Sequence, residues 1–475
     1  MRSVNLALVA ALLGGCSQII GLGDFEDQPA TGGGAGVAGD AAAGAAGMGG
    51  SAGGGGAAGV GGVAGSAGAA GSGGSVSYGC SLVNGTFDIF TTQLQFTKLD
   101  SATLGVGSDT TGDDAYAFAR AEDLGAESVI GIRRIHSDGS LGSEAKVKRP
   151  AINDASKVAI IHPGAGGVLG GKLTLLGWNT KNLVGGEPQA HLIRLEVPLN
   201  ASGEPVTNGV TRMDLPTSGF CTGPESSIDR ASFAVQGPNA HYAVGCKNLT
   251  NGRSLTVGQA GSTTFVSVNA MPADQTYVPV SFARLASQNW VQTATPAGFR
   301  VGTTETTLTG TWQLDLAEAA GDSTKLLGGI AVQQGAKLAA FGLQVPSSGT
   351  PTLYSGVFDE AKLTDLGSTK PPALSHTSPM NHTPDSFDLS RGKAGIAAVS
   401  SSETDNRVLL HWFGLDGSPR VANFVVTTAQ GNFTVKAAAA ATIADLDATK
   451  QTLVVAWYEE GSAVAKVRAG VVTCQ

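Results

Sequence analysis

Charge is scarce in this sequence. Lys, Arg, Asp and Glu make up 14% of its 475 residues, where ordinary globular domains carry roughly 25%. Its 30 basic residues are outnumbered by 38 acidic ones, for a formal net charge of −8. A phosphate backbone needs a basic patch, and without one nucleic acid is excluded as a partner class. Long apolar runs are missing too: beyond the first residues none approaches the 18 or so needed to cross a bilayer as a helix. No Cys-x-x-Cys pair and no His-Glu-x-x-His pair occurs, which removes the common zinc-site and metalloprotease signatures. What is abundant is glycine, 69 residues, very unevenly placed.

The first residues read as an address. Arg2 supplies a positive end, Val4 to Leu13 form an apolar stretch broken only by Asn5, and Gly14, Gly15 and Cys16 follow. About ten apolar residues is the length of a signal h-region and too short for a transmembrane helix. Leu13-Gly14-Gly15-Cys16 resembles the lipobox of bacterial lipoproteins. The resemblance implies cleavage before Cys16 and acylation of its thiol, because only a thiolate is nucleophilic enough for that transfer. More than one acyl chain gives stable anchoring. Ser17 resembles the residue that lets such proteins pass to the outer membrane. Four segments follow: 1–15 as signal peptide, 16–30 as lipidated N-terminus, 31–76 as linker and 77–475 as the folded part.

In the linker roughly three quarters of the residues are Gly or Ala, with Asp40 the only charge. Such a stretch cannot bury enough apolar surface to offset chain entropy and is expected to be disordered. As a Gly-rich coil it would span about 35–40 Å end to end. Gly34 to Gly39 and Gly49 to Gly53 match the dinucleotide-binding and nucleophile-elbow patterns, but neither lies between a strand and a helix, the setting both mechanisms require.

From 77 onward short apolar runs alternate with Gly, Asn, Asp, Ser and Pro. Stretches such as AYAFARA (115–121), HLIRLEV (191–197) and TFVSVN (264–269) alternate with period two, as half-buried strands do. Only Leu314 to Ala320 and Asp359 to Leu366 suggest a turn or two of helix. The fold class is all-β. Three apolar strands end in Trp178, Trp412 and Trp457, and Asp138-Gly139 and Asp416-Gly417 form matching turns after strands, as Asp-Gly suits tight hairpins. Strand pairs begin near Ala115, Lys157, Ala231, Val278, Leu326, Ala394 and Val435, about seven units at roughly 40 to 70 residues each, the look of β-propeller blades. The sequence resembles a seven-bladed propeller without matching one propeller family; tandem β-sandwiches are the alternative.

Past Cys16, four cysteines remain: Cys80, Cys221, Cys246 and Cys474. An exported chain with an even number points to two disulfides, with three connectivities open. The propeller resemblance implies an 80–474 bridge, because propellers often pair their two chain ends in one blade, and leaves 221–246 as a local staple.

No catalytic residue, cofactor motif or metal site emerges. The histidines (136, 162, 191, 241, 376, 382 and 411) are scattered. His376 and His382, with Asp385 close by, fall in KPPALSHTSPMNHTPD (370–385), read as a flexible polar loop on a blade edge. Carboxylate doublets occur at Asp113-Asp114, Glu122-Asp123, Asp359-Glu360 and Glu459-Glu460, but neighbours in a strand point to opposite faces and do not aim at one substrate. Asp109, Asp113 and Asp114 near a turn carry no calcium-loop signature. Trp178, Trp290, Trp312, Trp412 and Trp457 are expected to pack between blades rather than to serve as stacking platforms. The expected function is that of an outer-membrane lipoprotein, lipid-anchored and presenting a binding or scaffolding propeller to a protein or glycan. A carbohydrate-active hydrolase or lyase is the alternative.

Overall fold

The computed structural model describes residues 77–90, 94–95, 104–108, 114–123, 127–148, 159–181, 189–214, 226–236, 239–248, 252–259, 265–268, 278–284, 289–295, 298–303, 314–318, 323–333, 337–359, 374, 376–461 and 465–475. The signal, Cys16 and the linker lie outside them. The described residues form 29 strands with their turns and no helix. Leu314–Glu318, expected as a helical turn, is a strand paired with Gly298 to Val301. Five residues are too few to nucleate a helix, and a neighbouring strand edge offers them a ladder. Asp359 ends the strand Thr352–Asp359; the rest of the second helical expectation lies outside the described residues.

The strands assort into seven antiparallel sheets, six of four strands and one of five. Their first strands are Leu104–Ser108, Ala159–Leu169, Ser226–Gln236, Val278–Arg284, Ser323–Gln333, Ser386–Arg391 and Thr434–Asp447, which open blades 1 to 7. Each first strand lies against the next, and that of blade 7 returns to that of blade 1. The sheets therefore close a ring: the protein is a seven-bladed β-propeller, and the tandem-sandwich alternative is set aside. Because every blade is antiparallel, its first and third hairpins fall on one face of the ring. Its middle hairpin and the connection to the next blade fall on the other, called below the far face.

Crowding at the axis explains the glycine and alanine in the first strands, where faces of adjacent blades come closest. A Cβ on Gly107 in blade 1 would sit 2.5 Å from the carbonyl oxygen of Gly166 in blade 2. Ala437 to Ala441 fill the same role in blade 7, where Ser386 Oγ and Asp388 Oδ2 of blade 6 accept the N–H groups of Ala438 (3.1 Å) and Ala440 (2.9 Å). Ser390 and Thr442 continue the seam at 2.7 Å. Further out, apolar side chains fill the gaps between blades. Val408, Leu410 and Trp412 of blade 6 pack with Val435, Val455 and Trp457 of blade 7, and Phe413, on the other side of its strand, packs with Phe341 and Leu343 of blade 5.

Ring closure joins the two ends of the described chain. Cys80–Asp88 is the outermost strand of blade 7, antiparallel to Ala465–Cys474, with Cys80 opposite Cys474. The two are disulfide-bonded across 394 residues of sequence, the pairing that the propeller resemblance implied. Cys221 lies outside the described residues, and with it the second proposed bridge.

One repeat expected from the sequence holds and another dissolves. The Asp138-Gly139 and Asp416-Gly417 turns both join the third and fourth strands of their blades, each glycine at φ 83° and each aspartate accepting an N–H from the serine two residues on (2.8 and 3.0 Å). Asn200 to Glu204 builds the same turn in blade 2, with Gly203 at φ 78°. The tryptophans are not equivalent: Trp178 and Trp457 are on second strands, Trp412 on a third.

Candidate functional site

Three polar clusters interrupt the apolar seams, and each is the place where function would be sought. The first joins blades 1 and 2 on the near face. Asp114 starts the second strand of blade 1 and His136 ends the third; strand register places them opposite each other. Asp114, 6% exposed, accepts from His136 Nδ1 at 2.6 Å and from Arg134 Nη2. Arg134 Nη1 reaches across to Ser202 O and Glu204 Oε1 (3.5 Å) of blade 2. Glu204 also accepts the N–H of Ser143 at 2.7 Å, and the Tyr116 hydroxyl donates to Gly203 O at 2.7 Å. Burial works against the Arg134 charge, but the hydrogen bond and charge of Asp114 outweigh it and raise its pKa. This cluster grips the 200–204 turn. Analogous grips hold the other two turns of this type: Ser355 Oγ donates to Gly417 O, and Asn84 Nδ2 to Asp138 O, each from the preceding blade.

A second cluster lies between blades 5 and 6. The strand Arg407–Phe413 sends alternate side chains to opposite sides, and His411, fully buried, faces blade 5. Its Nδ1 lies 3.2 Å from Ser378 Oγ on His376–Pro379, the outer strand of blade 5. In the connection to blade 6, His382 places Nε2 2.9 Å from Ser400 Oγ. The other ring nitrogens, His382 Nδ1 and His411 Nε2, have no partner among the described residues. Burial pushes His382 down to about 4, with Asp405 and Asp385 opposing and Arg407 assisting. Burial, with His382 nearby, pushes His411 down to about 3. Both rings are therefore neutral near pH 7.

That neutrality yields a pH prediction with a definite sign. Unfolded histidine titrates near 6.5, so between pH 6.5 and 4 the unfolded chain takes up protons that the folded chain refuses. Stability from these groups is fully present above about 6.5 and is lost as pH falls toward 3. Thermal melts of the native chain and of His382→Gln/His411→Gln should diverge across pH 6.5 to 4.5, the native chain losing stability more steeply. Parallel slopes would remove the histidines as the cause.

The third cluster is acidic and lies on the far face of blades 6 and 7. Asp405 accepts from Thr383 N and Ser402 Oγ, each at 3.0 Å, and the Thr383 bond leads in lowering its pKa. Asp385 accepts the Glu403 N–H at 2.8 Å, while Lys436 pairs with Glu403 at 2.6 Å and Glu460 at 3.6 Å. Glu459, 3% exposed, accepts from Trp457 Nε1 at 2.7 Å and Arg468 Nη1 at 3.3 Å. The Glu459-Glu460 doublet splits, Glu459 to Trp457 and Arg468 and Glu460 to Lys436, as strand alternation requires. These carboxylates hold loops and blades together.

Several expectations need correction or placement. The 370–385 stretch is not simply a flexible loop. Within it His376–Pro379 makes the fourth strand of blade 5, and through it and the connection beyond, Ser378, Met380, His382 and Pro384 are buried in alternation with exposed Thr377, Pro379, Asn381 and Thr383. Small and polar residues disguised a strand period. Trp412 and Trp457 are fully buried, packed between blades as expected. The side chains of Trp178, Trp290, Trp312, His162, His191 and His241 lie outside the described residues, as do Asp109, Asp113 and Glu360. Among the described residues no three His, Cys, Asp or Glu side chains converge to hold a metal, and no helix is long and apolar enough to cross a membrane.

No protein-family model matches the sequence, and no curated protein does. Solved structures match in fold at low identity. A Dyadobacter fermentans protein of unknown function shares 8% identity at a TM-score of 0.48, over 84% of this chain and 100% of that one. The Cps50 (Swd1) β-propeller domain of Myceliophteria thermophila shares 11% at 0.41, over 78% and 97%. Trypanosoma rangeli sialidase shares 10% at 0.41, over 84% of this chain and 60% of that one.

Proposed function

We propose that the protein is a lipid-anchored envelope lipoprotein whose propeller works as a binding or scaffolding module on a flexible stalk. Leu13-Gly14-Gly15-Cys16 and the Gly/Ala-rich 31–76 support the anchor and the stalk. The observation that carries the presenting role is the point of attachment. The chain joins the ring at Gly79, whose N–H donates to Gln475 O at 2.9 Å beside the 80–474 bridge. That point is on the near face, together with the first and third hairpins. Attachment there leaves the blade-to-blade connections and middle hairpins of the far face free of the attachment point. The acids described above tie loops to blades, as a rigid presenting surface needs.

Two experiments test this reading. Cys16→Ala should move the protein from the membrane to the soluble fraction on cell fractionation; persistent membrane association would remove the anchor. The detergent-solubilised full chain, immobilised, is then exposed to envelope extract and a panel of polysaccharides, with the products analysed. Retention of an intact protein or glycan supports the module, and shortened glycans would replace it with an enzyme.

A further inference from the structure

We infer that the Cys80–Cys474 bridge is a mechanical latch, dispensable for closing the ring at rest and required when the ring is pulled through residue 77. The latch involves only residues from 77 onward, whatever holds the N-terminus.

Load arriving along the chain meets three contacts in order. Tyr78 lies edge-on to Trp412 at 5.8 Å between ring centroids, and the Arg420 guanidinium is 4.8 Å from both rings. Gly79 and Gln475 exchange both backbone hydrogen bonds at 2.9 Å. Cys80 is then bonded covalently to Cys474. Cys80–Asp88 is an edge strand, paired on one side only, and its register with Ala465–Cys474 runs from Cys80↔Cys474 through Val83↔Val471, shifts, and resumes at Thr86↔Gly470. Load on the end of such a strand falls on one pair at a time, so by itself it peels. The bridge sits at the first pair, the one that peeling must break. It passes the load to Ala465–Cys474, a strand paired on both sides within blade 7.

At rest other bonds hold the same strand. Asp88 pairs with Lys466 at 3.2 Å and Arg468 at 3.0 Å, Asn84 Nδ2 donates to Asp138 O at 2.8 Å, and Ile89 N donates to Val467 O at 2.9 Å. These ties reach blade 1 as well as blade 7, so closure without load does not need the sulfurs. The oxidised bridge adds stability at rest by restricting the unfolded chain, but closure comes to depend on it only under tension. Reduction by a dithiol, which becomes a cyclic disulfide while both cysteines become thiols, converts a load-proof closure into a peelable one.

The test is single-molecule stretching of the full chain, held at its N-terminus and just beyond Gln475. The oxidised chain should lengthen only through residues outside the bridge and show no unfolding of the ring. After reduction in place, or in Cys80→Ser/Cys474→Ser, the ring should open and release on the order of 140 nm, at about 3.5 Å per residue over the 394-residue separation. Unstretched, the reduced chain and the variant should keep the circular dichroism and protease resistance of the native chain. Ring unfolding in the oxidised chain overturns the latch. Loss of the fold on reduction without load also overturns it, making the bridge a requirement for folding.

Discussion

Trp412→Ala is expected to cost about 4 kcal/mol of folding stability, within the range for deleting a large buried aromatic. The indole is fully buried between blades 6 and 7 among Val408, Leu410, Val435 and Val455. It also closes a polar account: Nε1 donates to Gln451 Oε1 at 2.8 Å, and Gln451, itself fully buried, donates to Thr442 Oγ1 at 2.8 Å and Ser390 O at 3.3 Å. Removing the ring leaves a cavity and an unsatisfied amide oxygen, and the second penalty adds to the first. Trp412→Phe restores most of the volume and none of the hydrogen bond, so it should fall between alanine and native. Urea unfolding of the three proteins checks the order. A Trp412→Phe variant as unstable as alanine would mean that the Gln451 contact, not packing, dominates.

The second large effect is predicted at Asp114. Asp114→Ala should destabilise the protein by about 3 kcal/mol, because removing one partner of a buried pair leaves the other uncompensated. Arg134 and His136 both lose their acceptor, and the 200–204 turn loses one of the groups that orient its clamp. The damage should be local in one readout: cleavage by added protease should appear first between 199 and 210. Asp114→Ala/Arg134→Met should regain part of the loss by removing the stranded charge. A single variant with native stability and native protease resistance would show that the cluster is a solvated surface pair.

Much of the fold was legible because strands with apolar side chains announce themselves. The expected starts near Lys157, Ala231, Val278, Leu326 and Val435 fall in or within two residues of first strands. The starts at Ala115 and Ala394 are one strand late. The true first strands there, LGVGS and SFDLSR, are short and carry Gly, Ser and Asp where the axis demands small residues or seam-forming polar ones. The same crowding accounts for glycines whose role composition alone did not reveal. Tryptophan spacing misled because a large aromatic fills a gap between blades from either the second or the third strand. The 80–474 pairing was readable from the two chain ends once a ring was supposed.

The polar clusters were harder to see. Asp114, Arg134 and His136 meet only through strand register, and their partner Glu204 belongs to the next blade. The buried histidines carried a faint signal: His411 is a single polar residue in the apolar run VLLHWF, and the stretch around His382 keeps a strand period in side chains that a hydropathy reading passes over. Sequence spacing cannot show that Ser378 and Ser400 stand ready to bond these rings, because the contacts cross a blade boundary.

That Cys80–Asp88 closes the seventh blade beside Ala465–Cys474 can be checked by non-reducing peptide mapping of the protein purified from cells. A cross-linked peptide pair joining Cys80 to Cys474 is expected. Cys80 joined instead to Cys221 or Cys246 would be incompatible with its place opposite Cys474.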